Sequence, residues 1–214
     1  LKNFHPLAHS EFGNHPLPSD SLEIEAALRA GQISWDICAY YDLRYGERGR
    51  RFTRSDSGYL IALTHQDVLS VQEQVKWLAG ILASRGMPTF LLERHLRILH
   101  RELCAALPEN SSQYENLLAA AETMTQRRTA QISESTALEL AADFQQQVSN
   151  DEWAQRLPDA GMLLIAAVAD EANHFKHVVS SLLAWLADSE RFSAQWRVAI
   201  ETTLLKAREA VRHD

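Results

Sequence analysis

The sequence predicts an all-α fold, a single multi-helix bundle of about eight helices, and three observations lead there. Eight glycines and six prolines in 214 residues are too few for the turns of a many-stranded sandwich or barrel. Apolar side chains at 46% and charged ones at 23% are ordinary globular values, which excludes collagen-like, low-complexity and globally disordered chains. Apolar residues recur at steps of three and four in one segment after another, the period of a helix with one face buried. Such a bundle is either globin-like or built from two similar helical halves. The second form is suggested by Asp56-Ser57-Gly58 and Asp159-Ala160-Gly161, which both open helical stretches, with Trp77-Leu78-Ala79 and Trp185-Leu186-Ala187 following. The separations are unequal, and coincidence is the simpler account.

Residues 1–19 carry His5, His9 and His15 among Pro6, Pro16 and Pro18, with no apolar period. They read as an irregular N-terminal arm, solvated or packed, because irregular spacing on an unfixed backbone gives a metal no geometry. Residues 20–214 read as one all-helical domain. Asp20 and Glu23 cap a short helix that Gly31 ends, and a second helix spans Ser34 to Tyr45. Gly46 and Gly49 then interrupt the helix and leave an arginine-rich loop as far as Asp56.

Beyond that loop the helices lengthen. Ser70 and Glu73 cap one whose stripe is Val68, Val71, Val75, Leu78 and Leu82, and Gly86-Met87-Pro88 stops it. Another begins near Thr89, with Leu92, Leu96, Leu99, Leu103 and Leu107 on one face before Pro108. Ser112 and Glu115 cap the next, on Tyr114, Leu117, Leu118, Ala121 and Met124; Thr136 and Glu139 cap its successor, on Ala137, Ala141, Phe144 and Val148. Asp159 opens a long helix to about Ala187 with Leu164, Val168, Phe175, Val178, Leu182 and Leu186 inward. A final helix buries Trp196, Ile200, Leu204, Ala207 and Val211.

Charge and cysteine usage narrow the setting. A net charge of −7 repels a polyanion, so no nucleic-acid partner is expected. The longest apolar run, Gly161 to Ala169, is about half of what crosses a bilayer, and no signal peptide opens the chain; the expectation is a cytoplasmic protein with no membrane partner. Cys38 and Cys104 form no Cys-x-x-Cys pair and read as small buried apolar groups. Five tryptophans and several apolar helices leave surface for a homodimer.

Two features bear on chemistry. Glu171 falls on the apolar stripe of the long helix, so its carboxylate is expected inside, where it needs a proton, a cation, a hydrogen bond or a metal. His174 follows one turn on, and Glu-x-x-His is the spacing by which a ferritin-like helix offers two ligands to one metal. No second Glu-x-x-His occurs, and the simpler reading pairs Glu171 with an arginine or a tyrosine hydroxyl. His174 and His177, with His95 and His100, also raise an axial haem ligand. The second feature is Arg44, Arg48, Arg50, Arg51 and Arg54, which either grip a phosphate, a carboxylate ligand or an acidic partner surface, or pair with Asp42, Glu47 and Asp56. Gly-x-Ser-x-Gly, His-Glu-x-x-His and dinucleotide fingerprints do not occur, so the reading leans away from an enzyme and names no cofactor.

Tyr45-Gly46-Glu47-Arg48-Gly49-Arg50, then Asp56, Tyr59-Leu60, Trp77-Leu78 and Leu82-Ala83-Ser84-Arg85-Gly86-Met87-Pro88, stand in an order that resembles a bacterial helical domain. It is the type found N-terminal to cobalamin-binding modules in regulatory and sensory proteins, and the likeness covers about residues 35–107. The resemblance implies a non-catalytic helical sensor or regulatory module. It brings no corrinoid site, since Asp-x-His-x-x-Gly and an alternating βα region are missing, and the Tyr59-Leu60 pair lacks the histidine its relatives carry between them. The function expected is therefore a sensory or regulatory protein binding a small ligand or a protein partner. The alternative is a metal- or haem-binding helical protein, a ferritin-like oxidase or gas sensor using Glu171 and His174.

Overall fold

A computed structural model describes residues 5–8 and 16–211. Among the described residues there are ten α-helices and no strand: α1 Ser21–Asp36, α2 Ala39–Leu63, α3 Val68–Ser84, α4 Thr89–Ala106, α5 Ser111–Gln131, α6 Glu134–Gln147, α7 Trp153–Arg156, α8 Ala160–Ala172, α9 Val178–Leu186 and α10 Ala194–Glu209. A single 3-10 turn, Pro108–Asn110, precedes α5. The all-α expectation holds. The chain forms two compact units, one of residues up to Lys76 with Glu93–Thr123, the other of Trp77–Leu92 with the chain from Met124 onward. No helix among the described residues is long and apolar enough to cross a membrane.

The first unit is organised by α1 against α2. The helix expected to end at Gly31 runs through that residue to Asp36, and the segment expected to be a loop after Tyr45 is helical to Leu63. Only Gly46 leaves the helical region, at φ 52° and ψ −150°, a conformation closed to residues with a Cβ. Gly49 is glycine for a different reason: a Cβ there would lie 2.5 Å from Tyr45 Cβ and 3.0 Å from the Trp35 indole. The expected interruption therefore occurs at Gly46, while Gly49 lies within the helical segment that follows. The core beside them includes Ala26, Ala30, Leu60, Leu96, Leu99 and Leu103, the last three on the stripe read from sequence. Glu23 is buried too, and its carboxylate accepts a hydrogen bond from Tyr114 Oη at 2.9 Å.

The N-terminal arm packs. His5 Nε2 lies 2.8 Å from the Pro18 carbonyl, and Leu7 is fully buried. Leu7 and Leu17 close over Gly58, where a Cβ would come within 2.9 Å of Leu17 Cδ2. His9 and His15 lie outside the described residues.

The second unit is built on α8, with α6, α9 and α10 around it. Gly161 lets α8 approach Phe144 of α6, where a Cβ would meet the ring side chain at 3.0 Å. Phe144 meets Trp196 edge-on at 5.1 Å, and Phe192 stacks on Trp196 at 5.1 Å. The buried Trp196 gives its indole proton to Leu186 O at 3.0 Å, as an amphipathic ring in a core requires.

The long helix expected from Asp159 to Ala187 is two helices, α8 and α9. His174 takes a left-handed φ of 68°, while its N–H donates to Glu171 O and that of Phe175 to Asp170 O, both at 3.0 Å. That pair of bonds is a Schellman closure with histidine where glycine is usual. Two caps also shift. Asp67, not Ser70, accepts the amides of Leu69 and Ser70 at the start of α3, each at 3.1 Å, and Ser133, not Thr136, accepts from Thr136 N before α6.

Candidate ligand-binding site

A cleft of about 470 Å³ opens in the first unit between α1 and α2. Leu28, Gly31, Gln32 and Trp35 line it from α1, Arg50, Thr53 and Arg54 from α2, and Pro6 from the arm. The spacing explains the set. Positions 28, 32 and 35 fall on one face of α1, and 50, 53 and 54 on one face of α2.

Arg50 is held in place before any ligand arrives. Its guanidinium carbon stands 4.5 Å from the centroid of the Trp35 ring, and Nη2 donates to Asp42 Oδ1 at 3.1 Å. The indole is fixed as well, since Nε1 donates to Thr53 Oγ1 at 3.0 Å and the ring stacks on Tyr41 at 5.3 Å. Burial pushes the Tyr41 phenol well above its ordinary range, so it stays neutral. Arg54 is exposed at the cleft and has no hydrogen-bond or ion-pair partner among the described residues.

Behind the cleft, α4 braces the two helices through a buried imidazole. His95 Nδ1 lies 2.9 Å from Ser34 Oγ on α1, and Nε2 lies 3.0 Å from Ser57 Oγ on α2. Each serine oxygen also sits within donating distance of its own helix, Ser34 to Ala30 O at 2.9 Å and Ser57 to Thr53 O at 2.7 Å. A hydroxyl has one proton to give. A neutral ring therefore needs one serine to turn from its carbonyl to the imidazole, while a charged ring would serve both. Burial decides for the neutral ring, lowering the His95 pKa to about 4.

The structure divides the five arginines. Arg50 and Arg54 meet at the cleft, whereas Arg44 precedes the break at Gly46 and lies over Tyr40 and Tyr45, at 5.6 and 5.2 Å, donating to Tyr40 Oη. Arg48 lies over Phe52 at 5.7 Å, and Arg51 is exposed. Sequence reasoning found the arginines but not Trp35, Thr53 or Gln32. Reading 45–56 as a helix facing α1 supplies the missing partners.

Glu171 is not the buried carboxylate that its stripe suggests. It is 48% exposed and pairs with Arg208 Nη2 at 3.1 Å, one of the partners expected for it but at the surface. The buried acid is its neighbour Asp170, 1% exposed, which accepts from Thr89 N at 2.7 Å and Thr89 Oγ1 at 2.5 Å. The cause is that α8 is buried on every side from Leu163 to Asp170, so an apolar stripe cannot mark its inner face. His174 and His177 are exposed, both at left-handed φ.

No three His, Cys, Asp or Glu side chains among the described residues are placed to hold a metal ion. Both nitrogens of His95 are engaged by serines, and His100 Nε2 lies 3.2 Å from Glu115 Oε1 and 3.4 Å from Cys104 Sγ. His95 thus has no nitrogen open to iron, while at His100 it is Nε2 that is engaged. Cys38 is buried as expected, but Cys104 is only half-buried. Comparison with family models, with curated proteins and with solved structures gives no match.

Proposed function

We propose that this is a non-catalytic helical sensory or regulatory protein that binds a small anion in the cleft between α1 and α2. The observation that carries the reading is the pairing of an unengaged guanidinium, Arg54, with a second one, Arg50, already oriented on the Trp35 ring. In a chain of net charge −7, two cations converging on one concavity favour an anion there locally. Guanidinium groups recognise carboxylate and phosphate through paired N–H donors.

The other side chains suit binding better than turnover. Thr53 Oγ1 is placed to donate to Gly49 O at 3.2 Å, the His95 imidazole is buried with both nitrogens engaged, and His5, next to Pro6, has Nε2 2.8 Å from Pro18 O and Nδ1 accepting from Leu7 N at 3.2 Å. The likeness of residues 35–107 to a sensory helical domain points the same way. A ligand bridging Gln32 on α1 and Arg54 on α2 would favour one spacing of the two helices, the differential contact that a regulatory response requires. A cytoplasmic setting belongs to the same proposal and accords with two free thiols.

Isothermal titration of the intact chain with small carboxylates and with inorganic phosphate tests this. The expected result is saturable binding that Arg54→Ala weakens at least about tenfold, a difference near 1.4 kcal/mol, while Arg51→Ala leaves it unchanged. Equal losses in both variants would mean a diffuse charge effect and would overturn the site.

A further inference from the structure

We infer that the occupant of this cleft is a monocarboxylate with an apolar body, in preference to phosphate or a dicarboxylate; the inference rests on the anion-binding reading above. The first argument is local charge. Arg50 already shares its positive charge with Asp42 at 3.1 Å, which leaves Arg54 as the unpaired cation of the lining, while Asp36, accepting from Gln32 Nε2 at 2.7 Å, puts a second carboxylate beside the lining. A single carboxylate meets that cation on the free fork of Arg54. A dianion would bring a second negative charge beside Asp42 with no cation left to balance it.

The second argument is the wall. Pro6 and Leu28 add apolar lining, the Trp35 ring contributes its small exposed part beneath Arg50, and Gly31 adds no side chain to fill the space. Inorganic phosphate, hydrated on all sides, gains nothing from that lining, whereas a hydrocarbon or ring beyond the carboxylate removes it from water. Pockets that bind small molecules commonly combine such an apolar lining with a few fixed polar groups.

Titration calorimetry of the intact protein at constant ionic strength, with acetate, hexanoate, benzoate, succinate and inorganic phosphate, separates the cases. Hexanoate or benzoate should bind at least about tenfold more tightly than acetate, succinate and phosphate, and their binding should weaken at least about tenfold in Arg54→Ala. Which of the two binds better tells an aliphatic body from an aromatic one, and either supports the inference. Leu28→Gln should bring the affinity for hexanoate or benzoate toward that for acetate. Arg54-dependent binding in which succinate or phosphate equals or exceeds both apolar acids would overturn the inference and leave the anion site standing. No binding of any of the five would end both.

Discussion

Asp170 grips Thr89 with both carboxylate oxygens, one on the backbone N–H that opens α4 and one on the side-chain hydroxyl. The neighbouring Glu171 faces water and meets only the half-exposed Arg208. Adjacent acids thus do opposite things. Asp170→Ala should cost about 3 kcal/mol, since it leaves a buried amide without an acceptor, while Glu171→Ala should stay within about 1 kcal/mol. Urea unfolding of the two variants checks the contrast. A larger loss at Glu171 would return the buried acid to the position that periodicity assigned.

Glycine substitutions should separate by position. Gly46→Ala forces a Cβ into a positive-φ conformation and should cost about 1–3 kcal/mol. Gly49→Ala should cost at least a similar amount by pressing on Tyr45 Cβ and on Trp35. Gly80→Ala, within α3 and with nothing within 4 Å of the added Cβ, should stabilise by about 0.5–1 kcal/mol. Thermal unfolding of the three variants orders them, and a stabilising Gly46→Ala would contradict the kink.

The buried His95 sets a pH dependence of known sign. Its folded pKa of about 4 lies below the ordinary value of 6.5, so between those values the unfolded chain takes up a proton that the folded chain refuses. The contribution is complete above pH 6.5 and is lost as pH falls toward 4. Between pH 7 and pH 5 stability should drop by about 2 kcal/mol from this group. His95→Leu should remove that part of the slope in chemical denaturation measured across the range; an unchanged slope would place the titration elsewhere.

Much of the fold was legible because a buried face repeats with the helix. Leu92, Leu96, Leu99, Leu103 and Leu107 are all buried, as are Trp196, Ile200 and Ala207. Punctuation was harder to read. Gly31, Gly46 and Gly49 all carry a breaker's signature, yet only Gly46 breaks the helical backbone; Gly31 and Gly49 stay helical, and the close approach at Gly49 needs the missing side chain. A break that no glycine announces is at His174, which itself holds the left-handed position. Glu171 was misplaced for a related reason, since a stripe cannot show which side is inward on a helix buried all round.

The candidate site was half visible. Five arginines in one segment are conspicuous, but sorting Arg50 and Arg54 from Arg44, Arg48 and Arg51 needs the helical register that the two glycines obscured. Trp35 and Thr53 belong to the site only through a contact between helices, and no local pattern marks them.

The most direct measurement follows the Trp35 indole proton, bonded to Thr53 Oγ1 at the cleft, by two-dimensional NMR during a benzoate titration. Trp153 and Trp196 serve as internal references, their indole protons held by Arg191 O and Leu186 O in the second unit. Occupation of the cleft should move the Trp35 resonance saturably, leave those two in place, and fail in Arg54→Ala. A Trp35 signal that stays fixed while either reference shifts, or that moves equally without Arg54, would contradict ligand binding between α1 and α2.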